Sequence, residues 1–114
     1  MARVLVADDA AIVRLVTGQM LEAAGHELAG DACTGTEAIR LYDRLRPDVA
    51  VLDLNMPEVD GLSAAGAIRQ LDPNAKLVLM SVLLTSSRRK RAEALGARVL
   101  EKPFGADELL RAIA

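Results

Sequence analysis

Hydrophobic and polar residues alternate along the chain in a regular order, with short apolar runs followed by longer amphipathic stretches. The apolar runs have the length and composition of buried strands, and they predict strands at residues 4–7, 27–32, 49–52, 76–80 and 98–101. Apolar positions at helical spacing, bounded by Gly, Asp or Pro, predict helices at residues 11–24, 34–45 and 62–71, in a segment ending near residue 95, and at 106–113.

Five strands that alternate with five helices predict an α/β fold. Strands buried on both faces are typical of a parallel sheet covered by helices on each side, so we expect a doubly wound (βα)5 unit. Right-handed crossovers leave few topologies for such a unit. A chain of 114 residues with no internal repeat or linker is the size of a single domain.

Composition excludes several classes of function. The chain has 14 Lys and Arg against 16 Asp and Glu, so it lacks the basic surface that direct nucleic-acid binding requires. Aromatic residues make up only 2%, which argues against a flavin site or a surface that stacks bases. One cysteine, Cys33, permits neither an internal disulfide nor a cysteine zinc site. No apolar run is long enough to span a membrane, and we expect a cytoplasmic protein.

Ionisable and hydroxyl residues follow four of the five predicted strands. Asp8 and Asp9 follow the first strand, Asp53 the third, Ser81 the fourth and Lys102 the fifth. In a doubly wound sheet, ligands bind at the carboxyl ends of the strands, so we expect these side chains to lie together. Asp8 taken alone is equally compatible with a helix N-cap. The set as a whole predicts a functional site.

The chemistry of this set favours a cation and a phosphoryl group. Three carboxylates in one partly buried cleft repel each other, and oxygen ligands of this kind suit Mg²⁺. A metal together with Lys102 would attract an anion, and a phosphoryl group can contact the metal, Lys102 and the Ser81 hydroxyl. A carboxylate beside the metal can act as a nucleophile and form an aspartyl-phosphate.

These residues resemble the receiver domain of two-component response regulators. The similarity rests on Asp8 and Asp9, the segment VLDLNMPEVDG at residues 51–61, Ser81, and the sequence Lys102, Pro103, Phe104. It extends over the whole chain, in the right order, and implies a single receiver domain at residues 1–114. The implied fold is flavodoxin-like, with strand order 2-1-3-4-5.

The resemblance implies a role for each site residue. Asp53 would accept a phosphoryl group from the phosphohistidine of a sensor histidine kinase or phosphotransfer protein, in a signalling domain that catalyses only its own phosphoryl transfer and slow hydrolysis. The implied residues are Asp53 as phosphoacceptor, Lys102 and Ser81 as phosphoryl-binding groups, and Asp8, Asp9, Asp53 and the backbone carbonyl of Asn55 as Mg²⁺ ligands. The Lys102–Pro103 bond is expected to be cis. Asp60 is expected to cap the third helix rather than to bind metal.

Partner contacts are expected on the face from the fourth helix to the fifth, where such domains meet an output domain or partner protein, and a homodimer is compatible with this surface. The only dense charge run, residues 88–91, lies near the start of the predicted fourth helix. A solvated helix face explains such a run without any partner. Cations at a helix start oppose the helix dipole, however, so a compensating partner, such as an acidic protein surface, is the functional alternative.

Two departures from the family pattern stand out. Val99 occupies a position that is usually aromatic, so we hypothesise that the signal passes through the loop and helix after Ser81. Val82 stands where a smaller residue is commoner, and Leu83 offers no polar side chain to position a water, so slow loss of the phosphoryl group is expected.

Two other functions are compatible with parts of the pattern. The sequence Asp53, Leu54, Asn55 resembles the nucleophile motif of haloacid-dehalogenase phosphatases, but Asn55 replaces the acid and the chain leaves no room for a cap. A receiver-like domain that only binds partners is the second alternative, although it usually lacks one of the acidic residues or the lysine.

Overall fold

The computed structural model describes residues 1–114 and contains five strands that alternate with five helices. The strands are β1 (Arg3–Ala7), β2 (Glu27–Ala32), β3 (Val49–Asp53), β4 (Leu77–Ser81) and β5 (Arg98–Glu101). The helices are α1 (Ala11–Ala23), α2 (Gly35–Leu45), α3 (Gly61–Leu71), α4 (Ser86–Ala94) and α5 (Ala106–Ile113). All of the predicted elements are present, with their predicted ends within about one residue of these bounds.

The five strands form one parallel sheet in the order β2-β1-β3-β4-β5, so the expected order is confirmed. The chain winds outward from β1 in one direction to β2 and then in the other direction through β3, β4 and β5. The carboxyl ends of β1 and β3 therefore lie side by side at the switch in strand order, where a doubly wound sheet binds its ligand.

Side chains of the central strands enter two separate hydrophobic layers. Leu5, Ala50 and Leu79 belong to the layer that packs against α2, α3 and α4. Their neighbours along the strands, such as Val51 and Met80, belong to the layer beneath α1 and α5. Successive residues of a strand point to opposite faces, and both faces are covered, which explains why β1, β3 and β4 are continuous apolar runs.

Helix α1 buries only the carboxyl-terminal part of its apolar residues, because Leu21 is fully buried and Met20 packs against the core, and the residues nearer its start stay exposed. Ile12, Leu15 and Val16 are 64%, 56% and 40% exposed, whereas the buried side of the helix includes Thr17 and Gly18. Close packing explains this choice, because a β-carbon at Gly18 would lie 3.0 Å from Leu28 Cδ2. The first half of α1 thus leaves an apolar surface open.

Helix N-termini settle two expectations about aspartates. Asp60 caps α3, because its carboxylate accepts a hydrogen bond from the Ser63 amide at 2.8 Å, as predicted. The interpretation of Asp8 as an N-cap of α1 is wrong, because Ala10 holds that position. None of the five helices has the length and apolar composition required of a membrane span.

Candidate functional site

Three carboxylates meet at the carboxyl edge of the sheet. Asp8 directly follows β1, Asp9 comes next, and Asp53 is the last residue of β3. One oxygen from each carboxylate lies within 4.8 Å of the others. Asp8 and Asp53 are 1% and 5% exposed, whereas Asp9 faces solvent. The sequence prediction that these three side chains converge is therefore confirmed, and the cluster is open on one side.

Lys102 is the cation of this cluster. Its Nζ lies 2.5 Å from Asp8 Oδ2 and 3.2 Å from Asp53 Oδ1. Its backbone amide donates to the Ser81 carbonyl at 2.9 Å, which extends the pairing of β5 with β4 as far as the site. The Lys102–Pro103 peptide bond is cis, as the resemblance implied. Lys102, which follows the edge strand β5, thus bridges the two buried carboxylates that follow β1 and end β3.

The electrostatics of the cluster favour additional positive charge. Burial and the neighbouring Asp8 carboxylate raise the pKa of Asp53 above its ordinary value, against the opposing effect of Lys102. Burial lowers the pKa of Lys102, but its hydrogen bond with Asp8 and the charge of Asp53 outweigh this, so the pKa lies above its usual range. One ammonium group does not balance three carboxylates. Oxygen donors at this spacing fit a hard divalent cation such as Mg²⁺.

The loop after β3 is pressed against the backbone of Asp53. The Gly61 amide donates to the Leu54 carbonyl at 2.9 Å, and a β-carbon at Gly61 would lie 2.2 Å from the Asp53 carbonyl oxygen. Asn55 lies in this loop with its side chain exposed, and Glu58 adopts a left-handed φ of 69°. The close approach of Gly61 fixes the path of the backbone that leaves Asp53.

Ser81 lies at the end of β4, next to the strand that carries Asp53, and is fully buried. Its hydroxyl makes no hydrogen bond to the acidic cluster. It donates to the Leu83 carbonyl and accepts from the Leu83 amide, both at 3.0 Å, and it also accepts from Arg88 Nη1 at 3.2 Å. The structure therefore brings Ser81 to the expected edge of the sheet with its hydroxyl engaged by the loop that follows.

Two arginines near the site have contacts that the sequence interpretation did not include. Arg14 of α1 donates from Nη1 to the Asp8 carbonyl at 2.7 Å, which links the helix to the acidic segment. Arg88 of α4 donates to both Ser81 and the Leu83 carbonyl. The sequence does give one indication of the Arg88 contacts. A cation in the first turn of a helix is unfavourable, so a nearby oxygen acceptor that offsets its charge is expected.

An apolar groove of about 360 Å³ opens beside the site. It lies between α1 and the segment after β5, and Lys102 forms part of its wall. Ile12, Val16 and Val82 line it and are exposed, so the groove offers hydrophobic surface within reach of the acidic cluster.

Known sequences and families resemble this chain over almost its full length. A sequence model described as the response regulator receiver domain matches residues 4–114. The chemotaxis protein CheY of Thermotoga maritima is 37% identical over 112 residues, which cover 97% of this chain and 93% of that protein. The CheY of Bacillus subtilis is 36% identical, with the same coverage of each chain.

Solved structures share the fold. The signal receiver domain of NarL from Mycobacterium tuberculosis aligns with a TM-score of 0.92 and 31% identity, covering 98% of this chain and 92% of that one. The CheX–CheY–BeF3–Mg²⁺ complex from Borrelia burgdorferi aligns with a TM-score of 0.94 and 26% identity, covering 97% and 85% of the two chains. These similarities extend across all the elements that build the acidic edge.

Proposed function

This chain belongs to the response regulator receiver domain family of two-component signalling, and from that membership we propose that Asp53 is its phosphoacceptor. The phosphoryl group would come from a phosphohistidine of a sensor histidine kinase or phosphotransfer protein. The observation that carries the proposal is the convergence of Asp8, Asp9 and Asp53 with Lys102 at one edge of the sheet. We further propose that residues 1–114 form one receiver domain that acts in the cytoplasm.

In the proposed transfer, an Asp53 oxygen attacks phosphorus while the phosphorus–nitrogen bond of the phosphohistidine breaks. The leaving imidazole takes up a proton, and Asp53 becomes an acyl phosphate. Lys102 lies close enough to Asp53 to donate to a phosphoryl oxygen, and its permanent charge stabilises the negative charge that gathers there. Ser81 would contact a second phosphoryl oxygen after its hydroxyl turns away from Leu83.

We assign the metal site to Asp8, Asp9, Asp53 and the backbone carbonyl of Asn55. Bound Mg²⁺ would neutralise the carboxylates and stabilise the charge of the transferred group. The donor chemistry supports this assignment, because the only cation among these three carboxylates is Lys102 and the pKa of Asp53 is raised by burial and by Asp8. The CheY of Borrelia burgdorferi, with the same fold, was crystallised with BeF3 and Mg²⁺.

The domain is proposed to signal through partners rather than to turn over a substrate. The apolar groove lined by Ile12, Val16 and Val82 lies beside Lys102, so a helix of the phosphohistidine protein docked there would bring its imidazole close to Asp53. The face from α4 to α5 is assigned to an output domain, a partner protein or a second copy. Hydrolysis of the acyl phosphate is expected to be slow, because Val82 and Leu83 present no polar side chain to a water.

Phosphate-affinity gels with acetyl phosphate and Mg²⁺ test the function directly. The wild type should give a retarded band that needs Mg²⁺, and Asp53→Asn should give none. Asp60→Asn is the matched control, because Asp60 follows in the same loop but caps α3, and it should be phosphorylated like the wild type. A retarded band that persists in Asp53→Asn, or a wild type that never shifts, would contradict the proposal.

The same gels test the docking groove when the donor is a phosphorylated histidine protein. Ile12→Ser should accept from acetyl phosphate at the wild-type rate, since Ile12 is exposed and supplies no polar or charged group to the acidic cluster. Its transfer from the protein donor should be slower, because the apolar contact area is reduced. Equal rates from the protein donor would rule out the groove as the docking site.

A further inference from the structure

The Ser81 hydroxyl has no remaining hydrogen-bonding capacity in this structure. A hydroxyl has one proton to donate and two lone pairs to accept with. Ser81 gives its proton to the Leu83 carbonyl, and its lone pairs receive the Leu83 amide and Arg88 Nη1. All three partners belong to the β4–α4 loop or to α4, so the group is held toward that loop.

Arg88 supports this arrangement at two points. Its Nη1 donates to Ser81 Oγ at 3.2 Å and to the Leu83 carbonyl at 2.8 Å. Arg88 lies in the first turn of α4, where a cation opposes the helix dipole, and it is half-buried, unlike the exposed Arg89 beside it. Arg89 makes no side-chain hydrogen bond or ion pair. Two oxygen acceptors of the same chain therefore offset the unfavourable position of the Arg88 charge.

A phosphoryl group on Asp53 would compete for the same serine proton. Ser81 has a single proton, so a hydrogen bond to a phosphoryl oxygen requires it to release the Leu83 carbonyl. Arg88 donates one hydrogen bond to that carbonyl and a second to the serine hydroxyl itself. The serine therefore cannot turn toward Asp53 without disturbing the arginine contacts at the start of α4.

We propose that Arg88 is a positioning residue that holds the Ser81 hydroxyl away from Asp53 in the unphosphorylated domain, and that phosphorylation of Asp53 breaks the hydrogen bond between Arg88 and Ser81. This inference rests on the proposed phosphoacceptor function. A group that stabilises the unphosphorylated arrangement reduces the fraction of molecules in which Ser81 is free to bind a phosphoryl group. The apparent affinity for that group falls in proportion to this fraction. Loss of the contact between Ser81 and Arg88 would alter the start of α4, which gives a physical path for the signal that we expected to leave through the loop after Ser81.

Beryllium fluoride with Mg²⁺, a stable mimic of the phosphoryl group, provides the test. Arg88→Met removes the donors but keeps an apolar stem for packing. Since a hydrogen bond from a charged donor is being lost, we expect Arg88→Met to bind the mimic about tenfold more tightly than the wild type. Arg89→Met, the matched control one residue along the same helix, should bind like the wild type.

A double-mutant cycle with Ser81→Ala separates positioning from a general effect on α4. If Arg88 acts through the serine hydroxyl, Arg88→Met should change the affinity for the mimic much less in the Ser81→Ala background. Equal tightening in both backgrounds, or no tightening relative to Arg89→Met, would overturn the inference. Amide exchange at Leu83 without the mimic is a second readout, and Arg88→Met should lower its protection. Unchanged protection would also count against the link.

The same experiment distinguishes a failure of the proposed phosphoacceptor function from a failure of the role assigned to Arg88. A wild type that does not bind beryllium fluoride in a manner that depends on Asp53 would contradict the phosphoacceptor assignment, and the role of Arg88 would fall with it. A wild type that binds the mimic normally, with Arg88→Met unchanged, would overturn only the role of Arg88.

Discussion

Lys102 determines whether the buried carboxylates of Asp8 and Asp53 are tolerable. Both side chains are almost completely removed from solvent, and Lys102 Nζ is the only cationic group that pairs with either of them. Charges in such surroundings are strongly destabilising when they lose their partner. The lysine therefore contributes to the stability of the metal-free domain as well as to the proposed chemistry.

Replacing Lys102 with Met should lower the free energy of unfolding by about 3 kcal/mol in a buffer with a chelator, because two buried carboxylates lose their counter-charge. Urea denaturation measures the change. Mg²⁺ should recover part of the loss, since a cation at the cluster supplies the missing charge. Lys90→Met is the control, because Lys90 is exposed on α4 and makes no ion pair. Equal losses in the two variants, or no recovery with Mg²⁺, would refute this role.

The residues of the site differed in how far the sequence could predict them. Asp8, Asp53 and Lys102 follow from strand ends, because a parallel sheet brings the ends of neighbouring strands to one edge. The orientation of the Ser81 hydroxyl did not follow, since it depends on the path of residues 82–85 and on the side chain of Arg88. Hydrogen-bonding groups of Leu83 and Arg88 determine that orientation, and the pattern of apolar residues does not predict their positions.

At the scale of elements, the start of α3 is packed unusually closely against the end of β3. Gly61 begins α3, and the β-carbon of any other residue there would overlap the Asp53 carbonyl and approach the Leu54 α-carbon to 2.8 Å. The contact is with backbone, which cannot move aside as a flexible side chain can. The position of Asp53 therefore depends on a glycine eight residues further along the chain.

Gly61→Ala should destabilise the domain by about 3 kcal/mol, because the added methyl group forces β3 and α3 apart. Gly66→Ala in the same helix is the matched control, since nothing lies within 4 Å of its β-carbon position. Alanine is the better helix former, so this control should gain roughly 0.5–1 kcal/mol. Thermal or urea denaturation of both variants gives the comparison, and similar changes in the two would contradict the proposed contact.

Element boundaries were predictable where turn residues and apolar runs coincide, as at β5 and α5. The buried face of α1 was not. Apolar residues at helical spacing run along the whole helix, but only Leu21, near its end, is fully buried. In the middle of the helix Thr17 and Gly18 face inward instead, where Leu28 approaches closely. Which side of an apolar helix is buried depends on the neighbouring strand, and that information is not local in sequence.

For the whole molecule, the sheet order concentrates negative charge at one edge. A parallel sheet that reverses its winding at β1 and β3 must place Asp8 and Asp53 side by side, although they are 45 positions apart in the chain. Folding therefore brings together groups that are independent in the unfolded chain. Lys102 offsets part of the resulting repulsion, and the part that remains opposes folding until a proton or a further cation relieves it.

The pH dependence of stability should carry the signature of Asp53. Burial and the Asp8 carboxylate raise its pKa in the folded state, so the folded protein binds this proton more tightly than the unfolded chain does. That contribution to stability is present at low pH and is lost as the pH rises through the pKa of Asp53 in the folded state. This pKa lies above the value of about 4 that an ordinary aspartate has. In a chelating buffer, Asp53→Asn should therefore be more stable than the wild type at neutral pH, and the difference should shrink as the pH falls.

Added Mg²⁺ should reverse this order. At about 100 times its dissociation constant, a ligand that binds only the folded state adds about 2.7 kcal/mol to the free energy of unfolding. The wild type should gain this at neutral pH, and Asp53→Asn should gain less, because it lacks one of the three carboxylates. Asp60→Asn should follow the wild type in both buffers. If Mg²⁺ stabilises the wild type and Asp53→Asn equally, the cation does not depend on Asp53, and the three carboxylates do not act as one site.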